Sequence, residues 1–137
     1  MSDIYDEAEA LERVGGNREL LREVADIFLA DAPRMLDEIG RAVAERDRAE
    51  IFRTAHRLKG SVANFSAHRA SAAALVLERM AAREAPEGVD EALAALRHEI
   101  ELVRGALMEL VAGAPGRTAE QENSMREGGG AEGGEGS

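Results

Sequence analysis

Seven apolar residues near the end of the chain, Val89, Leu93, Leu96, Ile100, Val103, Leu107 and Leu110, recur at alternating spacings of four and three. A helix turns about 100° per residue, so this spacing sets all seven along one side of a helix about 35 Å long. Gly88 precedes the run, Asp90 falls in its first turn, and Gly113 and Pro115 close it. A seam of that length needs other helices to cover it.

Three further segments have the right period. From about Asn17 to Arg46, residues Leu21, Val24, Phe28, Met35, Ile39 and Val43 share a face, with Asn17 as a cap after the Gly15-Gly16 breaker. Pro33 falls inside this run and predicts a kink rather than an end, because the period resumes at once. From about Asp47 to Asn64 the inward residues are Ile51, Ala55, Leu58 and Val62, followed by Phe65. From about Ala67 to Arg83 they are Ala70, Ala73, Ala74, Leu77 and Met80, with Ser66 as the expected cap. A short helix from Ile4 to Val14 completes the set. No strand alternation or tight hairpin signal appears. Long helices joined by short loops become antiparallel neighbours. The expected fold is all-α, an up-down antiparallel four-helix bundle over residues 1–112 with a short extra N-terminal helix.

Residues 113–137 differ. They hold eight of the 14 glycines and five acids, with no aromatic. Such a segment buries too little to offset its ordering entropy, which predicts a disordered Gly/Glu-rich tail. Over the whole chain hydrophobic residues make up 45% but aromatics only 3%, so Ala, Leu, Val and Ile form the core. With no cysteine, disulfides and thiolate metal sites are excluded. The net charge of -10 argues against nucleic acid and anionic membranes as partners. The lack of a long apolar run and the acidic N-terminus point to a cytoplasmic setting.

The segment with chemical content is Thr54-Ala55-His56-Arg57-Leu58-Lys59-Gly60-Ser61-Val62-Ala63-Asn64-Phe65. The inward stripe of this helix centres roughly 140° from His56, so the imidazole projects outward. Lys59 at i+3 and Gly60 at i+4 lie on its face, as do Phe52 and Ala63. Glycine inside a helix costs about 1 kcal/mol against alanine, so Gly60 implies close approach of something else. An imidazole has an ordinary pKa of roughly 6.5 and is largely nucleophilic at pH 7. Lys59 supplies positive charge where a phosphoryl group on that ring would sit.

His56-Arg57-Leu58-Lys59-Gly60-Ser61, followed by Asn64 and Ala67, resembles the His-x-x-Lys-Gly-Ser signature of histidine-containing phosphotransfer (HPt) domains. Leu11, Val14-Gly15-Gly16-Asn17, Phe28-Leu29 and Ala32-Pro33 match that family's upstream pattern in order, so the resemblance covers roughly residues 5–111. Ser66 stands where Gly is usual, and Ala70 and Ala73 where Leu is common. The resemblance implies a four-helix bundle. It also implies that His56 exchanges a phosphoryl group with the aspartate of a receiver domain in a response regulator or hybrid histidine kinase. Lys59 would stabilise that group electrostatically and Gly60 would give the partner access. Phe52, Arg53, Arg57, Ser61 and Ala63 are the expected partner-binding residues, although for Arg53 and Arg57 a plain solvated face is the safer reading. The chain is expected to act as a monomeric phosphoryl carrier, not an enzyme. It needs no cofactor or metal site of its own, since magnesium would be held by the receiver.

Two rival readings share these residues. One is the substrate domain of a chemotaxis-type histidine kinase, phosphorylated from ATP by a separate catalytic domain. The other is a helical adaptor whose His56 is never phosphorylated. His68 and His98 lack comparable surroundings. Leu20 and Ile27 are placed either to join the partner surface or to pack on the N-terminal helix.

Overall fold

The computed structural model describes residues 3–84 and 87–113. Among them are α1 (Glu7–Arg13), α2 (Arg18–Ala44), α3 (Arg48–Ala63), α4 (His68–Ala82) and α5 (Val89–Ala112), and no strand. The expected glycine-rich tail falls almost entirely outside the described residues. By its contacts the chain divides into Met1–Ala106 and Leu107–Ser137, with the border inside α5. In the second unit, the described residues are the last turns of α5 and Gly113.

Within residues 1–106 the helices run antiparallel to their neighbours, as their side-chain ties show. Arg48 at the start of α3 donates to the Ala81 carbonyl and to Glu84, at and just beyond the end of α4. Arg46, just past α2, reaches Asp90 in the first turn of α5 at 3.0 Å. Arg69 in the first turn of α4 holds Glu99, well along α5. The guanidinium of Arg97 lies where a Cβ on Gly40 would stand, so glycine lets α5 lay that side chain across α2. This is an up-down four-helix bundle with α1 as the extra helix.

Its core is the one the periodicities predict. Leu58, Val62, Leu96, Ile100 and Val103 are fully buried, as are Leu21, Ile39, Val43 and Leu77. Phe28 of α2 meets Phe65 edge to face, with ring centroids 5.7 Å apart. Val24, Ala73, Met80 and Leu93 are only half-buried, at the margins of their stripes. Ala25, Ala32, Ala70 and Ala74 are fully buried, so helices meet through small side chains. Pro33 lies inside α2, which continues through it to Ala44.

The helix ends follow two rules. Asp6, Asn17 and Asp47 cap α1, α2 and α3 by accepting from the amide three residues on. At the other end, α1, α2 and α3 each stop with a residue in the left-handed region: Gly15, Arg46 and Ser66. After α3, the Ser66 amide bonds to the Ala63 carbonyl and the Ala67 amide to the Val62 carbonyl, the paired pattern of a Schellman motif.

Ser66 corrects an expectation. It does not cap α4, whose N-cap is Ala67 without a side-chain bond. With a φ of 52° and almost no exposure, Ser66 instead turns its hydroxyl to Arg13, which donates from Nε at 3.3 Å and from Nη2 at 3.0 Å. The position favours glycine because it is left-handed. Here a serine occupies it, and its hydroxyl ties α1 to the α3–α4 turn. The Asp6 amide adds a bond to the Phe65 carbonyl.

Candidate functional site

Helix α3 presents one face outward, because Ile51, Thr54, Ala55, Leu58 and Val62 commit the opposite side to the core. His56 is the most exposed polar group at the centre of that face, its side chain 64% accessible. Its Nδ1 lies 3.4 Å from Oε1 of Glu78, on α4. Lys59, one turn on, donates from Nζ to the same oxygen at 2.9 Å. One carboxylate therefore faces both the imidazole and the ammonium group.

Glu78 is mostly sheltered. Burial pushes its carboxyl up, but hydrogen bonds from Lys59 and His56, with their charges, outweigh this and hold it below the usual carboxylate range. A carboxylate against Nδ1 favours the tautomer with the proton there, which leaves Nε2 as the ring's free nucleophilic nitrogen. Glu78 did not emerge from the periodicity of α3, since it belongs to another helix. The one available signal is that it is the sole acid in α4, a helix otherwise of Ala, Leu, Val and a few polar residues.

The remaining expected site residues take different positions. Phe52, one turn before His56, lays its ring parallel to the imidazole, 2° between planes and 6.2 Å between centroids. Gly60, one turn after, is exposed, and a Cβ built there would meet nothing within 4 Å. Arg57 leans to α2, where it donates to Glu38 at 2.7 Å. That bond, with the charge and bond of Arg34, holds the Glu38 carboxyl below its ordinary value against the upward push of burial. Arg53 is paired with Glu50 on its own helix. Neither arginine touches the imidazole. Ser61 and Ala63 are half-buried, and Ser61 lines a small hollow with Asn64 and the α2 residues Val24, Ile27 and Phe28.

Leu20 is partly exposed and Ile27 largely so, at 63%. His68 approaches Glu9 of α1 at 3.6 Å, far from this face in sequence, and His98 is exposed. Among the described residues no group of three His, Asp or Glu side chains is placed to hold a metal ion. No helix among them is long and apolar enough to cross a membrane.

The arrangement is suited to one kind of chemistry: an accessible imidazole nitrogen that can take up a small electrophilic group, with a cation beside it and open space one turn away. Comparison with known proteins bears on the fold and the family. The fold is similar to that of the HPT domain of an Hpt sensor hybrid histidine kinase from Shewanella, with a TM-score of 0.73 and 18% identity over 81% of this chain and 96% of that one. No curated protein matches the sequence. The sequence model of the Hpt domain matches residues 23–106, which include all of α3 and α4 and most of α5. The chain belongs to the Hpt domain family, whose role is phosphotransfer in two-component signalling.

Proposed function

We propose that this chain is a phosphorelay intermediate that carries a phosphoryl group on Nε2 of His56. It receives that group from the aspartyl phosphate of a receiver domain and passes it to another. The Nε2 lone pair attacks phosphorus as the aspartyl oxygen–phosphorus bond breaks and the aspartate leaves as a carboxylate. The ring keeps its Nδ1 proton and becomes a cationic phosphoimidazole, and Glu78 offsets that charge from the Nδ1 side. Lys59 screens the phosphoryl oxygens. The observation that carries the reading is the contact of His56 and Lys59 with one Glu78 oxygen beside the empty position at Gly60.

Several features support a receiver as the partner. Helix α3 carries four Lys or Arg residues and a single acid, in a chain with 17 basic and 27 acidic residues. Each of the four is paired with a carboxylate, so they would serve the acidic, magnesium-holding phosphorylation site of a receiver by exchanging partners on docking. Arg53, Arg57, Ser61 and Ala63 form the docking rim around His56, and Ile27 extends it across the hollow beside Ser61, whereas Phe52 lies against the imidazole itself. The chain works as a monomeric cytoplasmic carrier, and the magnesium belongs to the partner.

The test is a phosphotransfer profile. Wild-type chain and a His56→Gln variant are incubated with phosphorylated receiver domains and, separately, with histidine kinases and ATP. Acid-labile, base-stable label that reaches the wild type from a receiver and never the variant is the expected result. Label arriving only from a kinase with ATP would make the chain a kinase substrate domain. No label from any donor would make it an adaptor.

A further inference from the structure

Phe52 stands apart from the other aromatic residues. The chain has three phenylalanines and one tyrosine. Tyr5, Phe28 and Phe65 are buried, whereas Phe52 is 40% exposed. Its surroundings do not call for a large side chain. The hollow it borders is otherwise lined by Arg48, Ala49, Ala81 and Ala82, a floor made mostly of alanine methyl groups. Part of the ring is sheltered against that floor, but the two fifths that remain exposed gain nothing from burial.

Its specific relationship is to His56. The two residues are four apart on α3, which brings their side chains together. Their rings are parallel within 2°, and their centroids, 6.2 Å apart, lie in the range of offset stacking. Glu78 touches the imidazole only at Nδ1, and at 3.4 Å that contact leaves the ring free to rock. The torsion that rocks it, χ2 of histidine, is intrinsically broad. A flat neighbour parallel to the ring restricts that torsion.

We propose that Phe52 is a positioning residue for phosphotransfer, holding the plane of the His56 imidazole by stacking on one of its faces. The inference rests on His56 being the phosphoacceptor and deepens that reading. The Nε2 lone pair lies in the plane of the ring, so the ring's tilt sets the line of attack on phosphorus. In-line transfer between two docked proteins tolerates little misalignment, because neither partner can turn to follow a tilted ring. The new nitrogen–phosphorus bond also lies in that plane, so a ring stacked on the face does not obstruct the phosphoryl group.

The test compares wild type, Phe52→Leu and Phe52→Tyr as full chains. Leucine keeps apolar bulk and helix propensity and removes the ring, whereas tyrosine keeps the ring. The donor is the phosphorylated receiver domain that reacts fastest with wild type, used over a range of concentrations. Phosphoramidate, a small donor that can follow the ring, serves as a second probe. Phe52→Leu is expected to lower the saturated transfer rate by about two- to tenfold. Its half-saturating receiver concentration and its phosphoramidate rate stay near wild type, and Phe52→Tyr restores the rate. A raised half-saturation with an unchanged saturated rate would make Phe52 a docking contact and overturn the proposal, as would a leucine variant equal to wild type. A wild-type chain that accepts phosphate from neither donor would overturn the reading of His56 and this inference with it.

Discussion

Lys59 and Glu78 form an ion pair of 2.9 Å that joins α3 to α4 across the face of His56. Before phosphorylation, then, the cation closest to the imidazole is occupied by a carboxylate. An incoming phosphoryl group offers Lys59 a second anion, and the ammonium need only pivot about its flexible stem to serve it. Glu78 meanwhile keeps its place at Nδ1, so one acid faces the two groups that the transfer requires.

Replacing Glu78 by Gln keeps the shape and an acceptor oxygen while removing the charge. Phosphotransfer to His56 should slow by about tenfold, as expected for loss of one preorganised electrostatic partner. Stability at pH 7 should fall by about 1 kcal/mol, discounted for the partial exposure of Lys59. The Glu78 carboxyl is held below its ordinary value of 4.5, so the native state binds fewer protons there than the unfolded chain. The stabilisation is therefore complete above that value and is lost as pH falls through the folded pKa. Melting curves of both proteins from pH 7 down to 3 should converge at the acid end.

Gly60 can be tested from two sides. A Cβ meets nothing there, so Gly60→Ala should stabilise the chain by about 1 kcal/mol. Gly60→Glu should also fold, yet it should block transfer, because a carboxylate would stand between the imidazole and the incoming aspartyl phosphate. A folded glutamate variant that transfers at the wild-type rate would show that the partner approaches from another direction.

Thr54 is fully buried behind the site, and its hydroxyl finds no hydrogen-bond partner among the described residues. Valine has nearly the same shape without the unpaired group. Thr54→Val should stabilise the chain by about 1 kcal/mol, read as a higher melting temperature, with phosphotransfer unchanged.

Leu96 lies fully buried at the middle of α5. Leu96→Ala should cost about 2–5 kcal/mol in denaturant titration, since closely packed helices cannot collapse fully onto the space left.

Features carried by a single helix were legible in the sequence. The four-three seam of α5 and the stripe of α3 fix which sides face the core, and the same arithmetic puts Lys59 and Gly60 beside His56. Glu78 was hidden because its distance from His56 depends on how α3 and α4 are set against each other. No period within either helix encodes that. Ser66 misled for a related reason. A serine just before a helix reads as a cap, but the Schellman stop of α3 claims its backbone, and Arg13 claims its hydroxyl.

The tie between Arg13 and Ser66 also orders events in time. Its two residues are 53 apart in sequence, whereas α3 and α4 are joined by a short turn. Closing a loop of that size costs entropy that is recovered only after the α3–α4 hairpin has formed its turn. Helix α1 is therefore expected to dock on the α3–α4 turn late in folding. In amide exchange, α1 should lose its protons well before the core of α3.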